Sequence, residues 1–321
     1  MKSKRVFLLF AALLLVSTFA TAAEYLIKLG HIANTDHSWH AASIKFKELV
    51  EKESGGKVRV EVYPNNEIGS EMEVIDQIHS GVAQMVISAD SLANWAPAIS
   101  ILSVPYMVRD IPHLEKVLKS EVGEFIDRQL IEKAGMRPLA VFIRAPRNLT
   151  SKKPISTPAD AQGLRMRISN VPIHSVAWEA AGAKPVPMAF SEVFTSIQQG
   201  VIDSQENPPD LIKSASFYEV QPFMNLTEHV RGWIYFLIGE DYFQTLPKDI
   251  QDILLKAGEE VEIYERKLHL DAIADIEKFL QDNGMTFNPA DKQAFADAMR
   301  DACLNYLTPE LRELFEKVQK M

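Results

Sequence analysis

Cysteine is nearly absent from this sequence. Cys303 is the sole one among 321 residues, so no intrachain disulfide can form, and with no cysteine at the end of the N-terminal apolar run a lipid-anchored N-terminus is excluded as well. In a helical segment beside Leu304, Cys303 reads as a small packed hydrophobe and not as a nucleophile. Glycine is scarce too, at 14 residues, and no phosphate-cradling loop, G-x-S-x-G elbow or H-E-x-x-H pair occurs. Positive charge is in deficit: 34 Lys and Arg face 43 Asp and Glu, a formal net charge of −9. Setting aside Lys2, Lys4 and Arg5 takes it to about −12, which makes nucleic acid and anionic lipid poor partners. Beyond residue 23 no apolar run is long enough to span a bilayer.

Residues 1–23 have the layout of a secretory signal peptide: basic residues, an apolar run from Val6 to Val16, then Ala20-Thr21-Ala22 as a small-x-small cleavage site. Retention as a membrane anchor is the weaker alternative, because the run is too short for a span. The mature chain is then expected to start near Glu24 and to occupy a bacterial periplasm, an oxidising space in which the scarcity of cysteine demands no disulfide framework.

About 300 remaining residues suit two lobes better than one core. From Glu24 strand-like and helix-like segments alternate, which predicts an α/β protein. "YLIKLG" reads as a strand, followed by a helix capped by Asp36 or Ser38 and striped by Trp39, Ala42, Phe46 and Leu49. Val58, Val60 and Val62 mark a second strand, Ser70 and Glu73 a capping box, and "AQMVISA" a third strand. "RPLAVFIR" (137–144) is a further strand, after which "APRNLTSKKPISTPADAQG" reads as a hinge and surface loop. A second α/β lobe follows, and "GWIYFLIG" (232–239) reads as a buried strand that could return to the first sheet. Between Pro247 and Asn283 helical periodicity runs without an internal proline, giving one helix of roughly 55 Å that could cross both lobes. No internal repeat or low-complexity segment is present.

Candidate chemistry is thin. In "DHSWH", His37 and His40 could share a metal with Asp36, although a structural zinc site wants four ligands. Glu206 and Asp203 could suggest acid–base work, but they read as part of a proline-bounded loop with no histidine nearby in sequence. The sequons at Asn148 and Asn225 read as chance matches.

Four segments, in order, resemble the DctP-type solute-binding subunits of tripartite ATP-independent periplasmic (TRAP) transporters: "FKELVEKESGGKVRVEVYPNNEIGSEMEVIDQIHSG", "RNLTSKKPISTPADAQGLRMRI", "GAKPVPMAFSEVFTSIQQGVIDSQENP" and "LPKDIQDILLKAG". They span nearly the whole mature chain. The resemblance implies a two-lobed venus-flytrap receptor with crossing strands and a long helix spanning both lobes, here 24–144 plus 233–272 and 145–232 plus 273–321. It implies a receptor that binds a small organic acid, transforms nothing and delivers its solute to TRAP membrane subunits; a monomer without a cofactor is expected. By motif, Arg167 of "GLRMRI" resembles the arginine that pairs with the ligand carboxylate, Arg147 a supporting arginine, and Asn207 of "DSQENP" an asparagine that bonds the same group. Asn170 and Phe190 match lining positions, and Glu71 an acidic position that contacts hydroxyls. Ala89 stands where binders of a large sugar acid can carry a carboxylate, and Asp90 is expected on the other side of an extended strand, which argues against a sialic-acid-like ligand.

These expectations explain why "GLRMRISN" carries two arginines in an apolar run. A guanidinium matches a carboxylate with two parallel bonds, which lysine cannot do, so Arg167 in a cleft would take its counter-ion from the solute. Arg165, nearer Gly163, is expected solvated or paired with a surface acid. Trp39, Trp95 and Phe190 could wall a ring, and Glu71, Asn94 and Asn170 could read hydroxyls; sugar acids, dicarboxylates, hydroxy or keto acids and aromatic acids stay open. Two other readings compete: a metal-binding receptor built on His37 and His40, and a secreted enzyme on the same scaffold.

Overall fold

The protein is described here by a computed structural model covering residues 23–321. The leader expected over residues 1–23 lies outside the described residues except for Ala23.

The chain opens with β1 (Tyr25–Gly30), α1 (Ser38–Glu53), β2 (Val58–Tyr63), α2 (Glu71–His79) and β3 (Met85–Ser88). The α1 cap differs from expectation: His37, and not Asp36 or Ser38, takes the exposed amide, its Nδ1 accepting from Trp39 N at 3.1 Å. The capping box of α2 forms as read, with Glu73 Oε2 accepting from Ser70 N at 2.7 Å. Two 3-10 turns (Asp90–Asn94 and Pro97–Ile101) lead to α3 (Ile111–Leu118), α4 (Glu121–Ala134) and β4 (Met136–Ile143).

The segment from Asn148 to Ser151, expected in a loop, is instead a fully buried strand, β5. After it come β6 (Arg165–Ile168), α5 (Pro172–Ala180), β7 (Lys184–Pro187), α6 (Val193–Gln198), β8 (Ser204–Asn207), α7 (Pro209–Ser214), β9 (Phe223–Leu226) and β10 (Trp233–Gly239). The chain ends through α8 (Glu240–Thr245), α9 (Lys248–Asp282), β11 (Thr286–Pro289), α10 (Lys292–Tyr306) and α11 (Pro309–Gln319).

These strands form a five-stranded sheet, β2-β1-β3-β10-β4, and a six-stranded sheet, β11-β9-β5-β8-β6-β7. β10 is buried along its whole length and lies antiparallel between β3 and β4, so the apolar run does return to the first sheet. Pro185 and Pro187 are tolerated because β7 is an edge, where a missing amide donor breaks no second ladder. Helix side chains cover both edges of the first sheet. Glu51 and Lys47 of α1 take Val60 N (3.0 Å) and Val60 O (2.8 Å) of β2, and Glu262 of α9 takes Val141 N of β4 at 2.8 Å.

The 35-residue α9 is about 52 Å long at 1.5 Å per residue. It packs on α1 and β4 at one end and on α7 further along. Leu280 near its far end joins Val193, Ile197, Ile212, Phe217 and Met224 in a separate core behind the second sheet. The last helix, α11, packs against the second 3-10 turn and α3: His113 Nε2 is 3.1 Å from Val318 O, and Gln319 Nε2 donates to Met107 O at 3.1 Å.

Candidate functional site

Between the ends of the two sheets lies a cavity of about 390 Å³. One side is built from α1, α2 and the ends of β3 and β4; the other comes from the start of β5, the end of β6, the turn after β7, and β8. Ligands of open α/β sheets bind in such crevices beyond strand ends. The six residues singled out by resemblance, Glu71, Arg147, Arg167, Asn170, Phe190 and Asn207, line it, and so does Trp39, expected as an aromatic wall.

Arg167 is 4% exposed; it shares a strand face with Arg165, but Arg165 stands at the exposed start of β6 whereas Met166, Arg167 and Ile168 are buried. Its Nε and Nη2 both donate to the carbonyl of Met188, at 3.0 and 2.7 Å, and its Cζ lies 5.9 Å from the centroid of the Phe190 ring. Among the described residues it enters no salt bridge. Burial, opposed by the more distant Glu206, pushes its pKa down to about 10. Arg165 behaves as expected for a surface arginine, with Nε and Nη2 donating to Asp203 at 2.9 and 2.6 Å.

Arg147 is different. Its Nε and Nη2 grip Glu206, Nη2 reaching Oε1 at 2.7 Å and the Glu206 carbonyl at 2.9 Å, and Nη2 also reaches Asn207 Oδ1 at 3.2 Å. His229 Nε2 lies 3.0 Å from Glu206 Oε2. Burial alone would raise the Glu206 carboxyl, but Arg147 and the His229 hydrogen bond hold it well below the usual carboxylate range. Burial likewise works against the Arg147 charge, and the Glu206 carboxylate outweighs it, so its pKa is raised. Glu206 is thus no loop residue but part of β8, and its histidine stands 23 positions away, out of reach of a local reading. Asp203 is not its partner; it faces Arg165 outside.

Across the cavity, Glu71 accepts from Ser88 Oγ at 2.5 Å, and burial, with Asp90 nearby, raises its pKa. Asp90 itself lines the cavity, contrary to the expectation from strand alternation. The strand ends at Ser88, Ala89 adopts φ −136° and ψ −102°, and a 3-10 turn starts at Asp90, so the period-two rule stops applying. Asp90 therefore brings a carboxyl group to the cavity, and its position does not count against a sialic-acid-like ligand. Trp39 is a wall with 1% of its surface exposed, and Arg144, not foreseen as a site residue, stacks over its ring at 4.9 Å. Trp95 and Asn94 are not in the lining: Trp95 meets the His79 ring, and Asn94 Nδ2 donates to the Asn170 carbonyl at 2.9 Å, bridging the two sides.

The metal reading does not survive. His37 turns its Nε2 toward Asp210 Oδ2 at 3.4 Å, whereas His40 Nδ1 lies 3.2 Å from His31 Nε2, so the two imidazoles diverge. Among the described residues no group of three or more His, Cys, Asp or Glu is placed to hold a metal ion. Cys303 is buried, and burial pushes its thiol up to about 12.

A cavity walled by strand ends from two α/β layers, with a guanidinium that has no carboxylate partner among the described residues, defines a solute-binding receptor. Residues 29–308 match the family described as bacterial extracellular solute-binding protein, family 7. The fold superposes on a TRAP periplasmic solute-binding protein of Roseobacter denitrificans crystallised with bound L-galactonate: TM-score 0.91 and 46% identity, covering 93% of this chain and 99% of the other. A TRAP periplasmic solute-binding protein of a Sulfitobacter strain, with bound β-D-galacturonate, gives TM-score 0.89 and 28% identity over 92% and 100% of the chains. The 2,3-diketo-L-gulonate-binding periplasmic protein of Escherichia coli is 31% identical over 97% of this chain and 92% of its own length. The chain belongs to family 7, the DctP-type solute-binding proteins of TRAP transporters. Family members are receptors, and the family is periplasmic. Among the described residues no helix is long and apolar enough to cross a membrane.

Proposed function

We propose that this protein captures a small organic acid in the periplasm by pairing its carboxylate with Arg167, closes around it and passes it unchanged to TRAP membrane subunits. The observation that carries this is the state of Arg167: buried in the cavity wall, held in place by one backbone carbonyl and a phenyl ring, and unpaired with any described carboxylate. A buried charge without a counter-ion is costly, so a carboxylate that enters the cavity relieves it and gains a desolvated, fork-shaped pair. Asn207 adds a donor–acceptor amide beside it, oriented by Gln205 Oε1 at 2.6 Å and by Arg147. Arg147 supports the site by positioning, since Glu206 has already neutralised it.

The lobes are 24–144 plus 233–272 and 145–232 plus 273–321, with α11 reaching back to the first. Solute bonded to Arg167 of the second sheet and to Glu71 of α2, which packs on β3 of the first sheet, would hold them together. The acids bound by the similar receptors, L-galactonate and β-D-galacturonate, support a sugar acid as the solute here. A thermal-shift screen of purified protein against organic acids tests the proposal. Stabilisation by acids and not by the matching neutral sugars is expected; stabilisation by neutral sugars alone would overturn it.

A further inference from the structure

Arg144 ends the apolar run of β4 and is 6% exposed. Its Nε and Nη2 are buried without a hydrogen-bond partner among the described residues, and it enters no salt bridge there. Its Cζ rests 4.9 Å above the Trp39 ring, and both residues line the solute cavity. Buried guanidinium donors are normally satisfied, so two unsatisfied ones in a cavity wall call for acceptors. The acids nearest in influence are Asp210, outside the lining, and Asp90 and Glu71, which share the cavity with Arg144. This side of the cavity therefore mixes fixed donors with fixed acceptors, whereas the side around Arg167 is built for an anion.

We propose that Arg144, with Asp90 and Glu71, forms a second pole that reads the hydroxyls of a monoanionic polyhydroxy acid, and that this pole rejects diacids. The proposal rests on the reading that Arg167 takes the solute carboxylate. A hydroxyl donates one hydrogen bond and accepts others, so a hydroxylated chain accepts from Arg144 while donating to Asp90 or Glu71. A second carboxylate only accepts; it would satisfy Arg144 and at the same time confront two carboxyl groups. Charge bookkeeping agrees: Glu206 cancels Arg147, one solute carboxylate cancels Arg167, and Asp210, ahead of Asp90, offsets Arg144. Because Arg144 follows β4 of the first sheet and Arg167 belongs to β6 of the second, a solute that engages both ties the sheets together. The cavity, at about 390 Å³, sits at the small end of ligand pockets and suits a molecule of this kind.

The test is titration calorimetry with pairs of acids that differ only at the far end: hexonates, galactonate included, against the matching hexarates, in which the terminal hydroxymethyl is a carboxylate. The wild-type protein should bind at least one hexonate about 100-fold tighter than its hexarate. Arg144→Met, which keeps length and loses the donors, should weaken that hexonate by about 10- to 100-fold, the scale of hydrogen bonds to a charged group. Asp90→Asn should narrow the gap between hexonate and hexarate. Arg144→Lys is the second variant should the methionine protein not fold, and it is expected to recover part of the loss. A hexarate that binds as tightly as its hexonate, no hexonate bound at all, or affinity unmoved by Arg144 substitution overturns the proposal. Arg167→Ala separates the two readings: if it abolishes binding while Arg144 variants do nothing, only this second pole is wrong, and if it changes nothing, the underlying carboxylate assignment fails.

Discussion

Arg147 and Glu206 satisfy each other inside the cavity wall: Nε and Nη2 of the guanidinium meet both carboxylate oxygens, Nη2 to Oε1 at 2.7 Å, and the Glu206 carbonyl takes a further bond at 2.9 Å. The pair is 5% and 1% exposed by side chain, with His229 closing the remaining side. Two arginines that look equivalent in sequence therefore have different jobs. Arg147 is a strut already neutralised by its own chain, and Arg167 keeps its charge for the cavity.

Removing one member of such a buried pair leaves the other charged and alone. Glu206→Gln is expected to cost about 3 to 5 kcal/mol of folding stability, measured by urea denaturation near neutral pH. Because the folded carboxyl is held below its ordinary value near 4.5, its contribution is present above that value and is lost as pH falls through the folded pKa. The stability gap between wild type and Glu206→Gln should therefore shrink in acid below about pH 4.5. A gap that stays constant from pH 3 to pH 7 would contradict the assignment.

Arg167→Ala is expected to lower affinity for the acid by about 3 to 5 kcal/mol while leaving the fold intact, the scale for stripping the partner from a desolvated charge pair. Arg167→Lys should recover only part of this, since an ammonium cannot form the two parallel bonds. Calorimetry on folded variants decides; unchanged affinity in Arg167→Ala would remove this residue from the site.

Local patterning revealed much of this molecule and non-local pairing hid the rest. The Val58-Val60-Val62 alternation, the Ser70/Glu73 box and the uninterrupted stripe of α9 carry their signal within a few residues, and each element stands where that signal put it. β5 and β8 were unreadable because they are polar strands. Their side chains are buried against one another and against β9, Gln205 Nε2 of β8 donating to Thr150 Oγ1 of β5 at 2.7 Å and Asn225 Nδ2 of β9 to Ser151 Oγ of β5 at 2.8 Å, and composition alone cannot tell such a network from a loop. Arg167 was legible only through a motif. Asp90 was misplaced because the backbone leaves the strand one residue earlier, and Arg144 escaped notice because what marks it is a missing partner.

α9 lies so close to β4 that only glycine fits at the crossing. A Cβ on Gly258 would sit 2.3 Å from the Leu139 carbonyl oxygen and 2.9 Å from its carbon, both backbone atoms that cannot swing aside. Alanine should favour an isolated helix by about 1 kcal/mol over glycine. Gly258→Ala is nevertheless expected to destabilise this protein by about 1 to 3 kcal/mol, because overpacking must move the helix off the strand. A melting temperature equal to or above wild type would mean that the crossing can relax.

Glu265, near the middle of α9, is fully buried with one oxygen accepting from Ser38 Oγ at 2.7 Å and the other unsatisfied. Burial, helped by Asp210 of α7 and Glu262 one turn back and opposed by Ser38 and Arg144, raises its pKa to about 8. The neutral acid is thus the folded form at neutral pH. A carboxyl whose folded value is raised stabilises fully below the unfolded value near 4.5, and that contribution is lost as pH rises through about 8. Relative to Glu265→Gln, which cannot ionise, wild-type stability should fall by up to about 1.4 kcal/mol per pH unit between pH 5 and pH 8. Urea denaturation of both proteins at each whole pH value checks this. Parallel stability profiles across that window would show that Glu265 is ionised in the fold and finds compensation from Arg144 or from His269 one turn further along the helix.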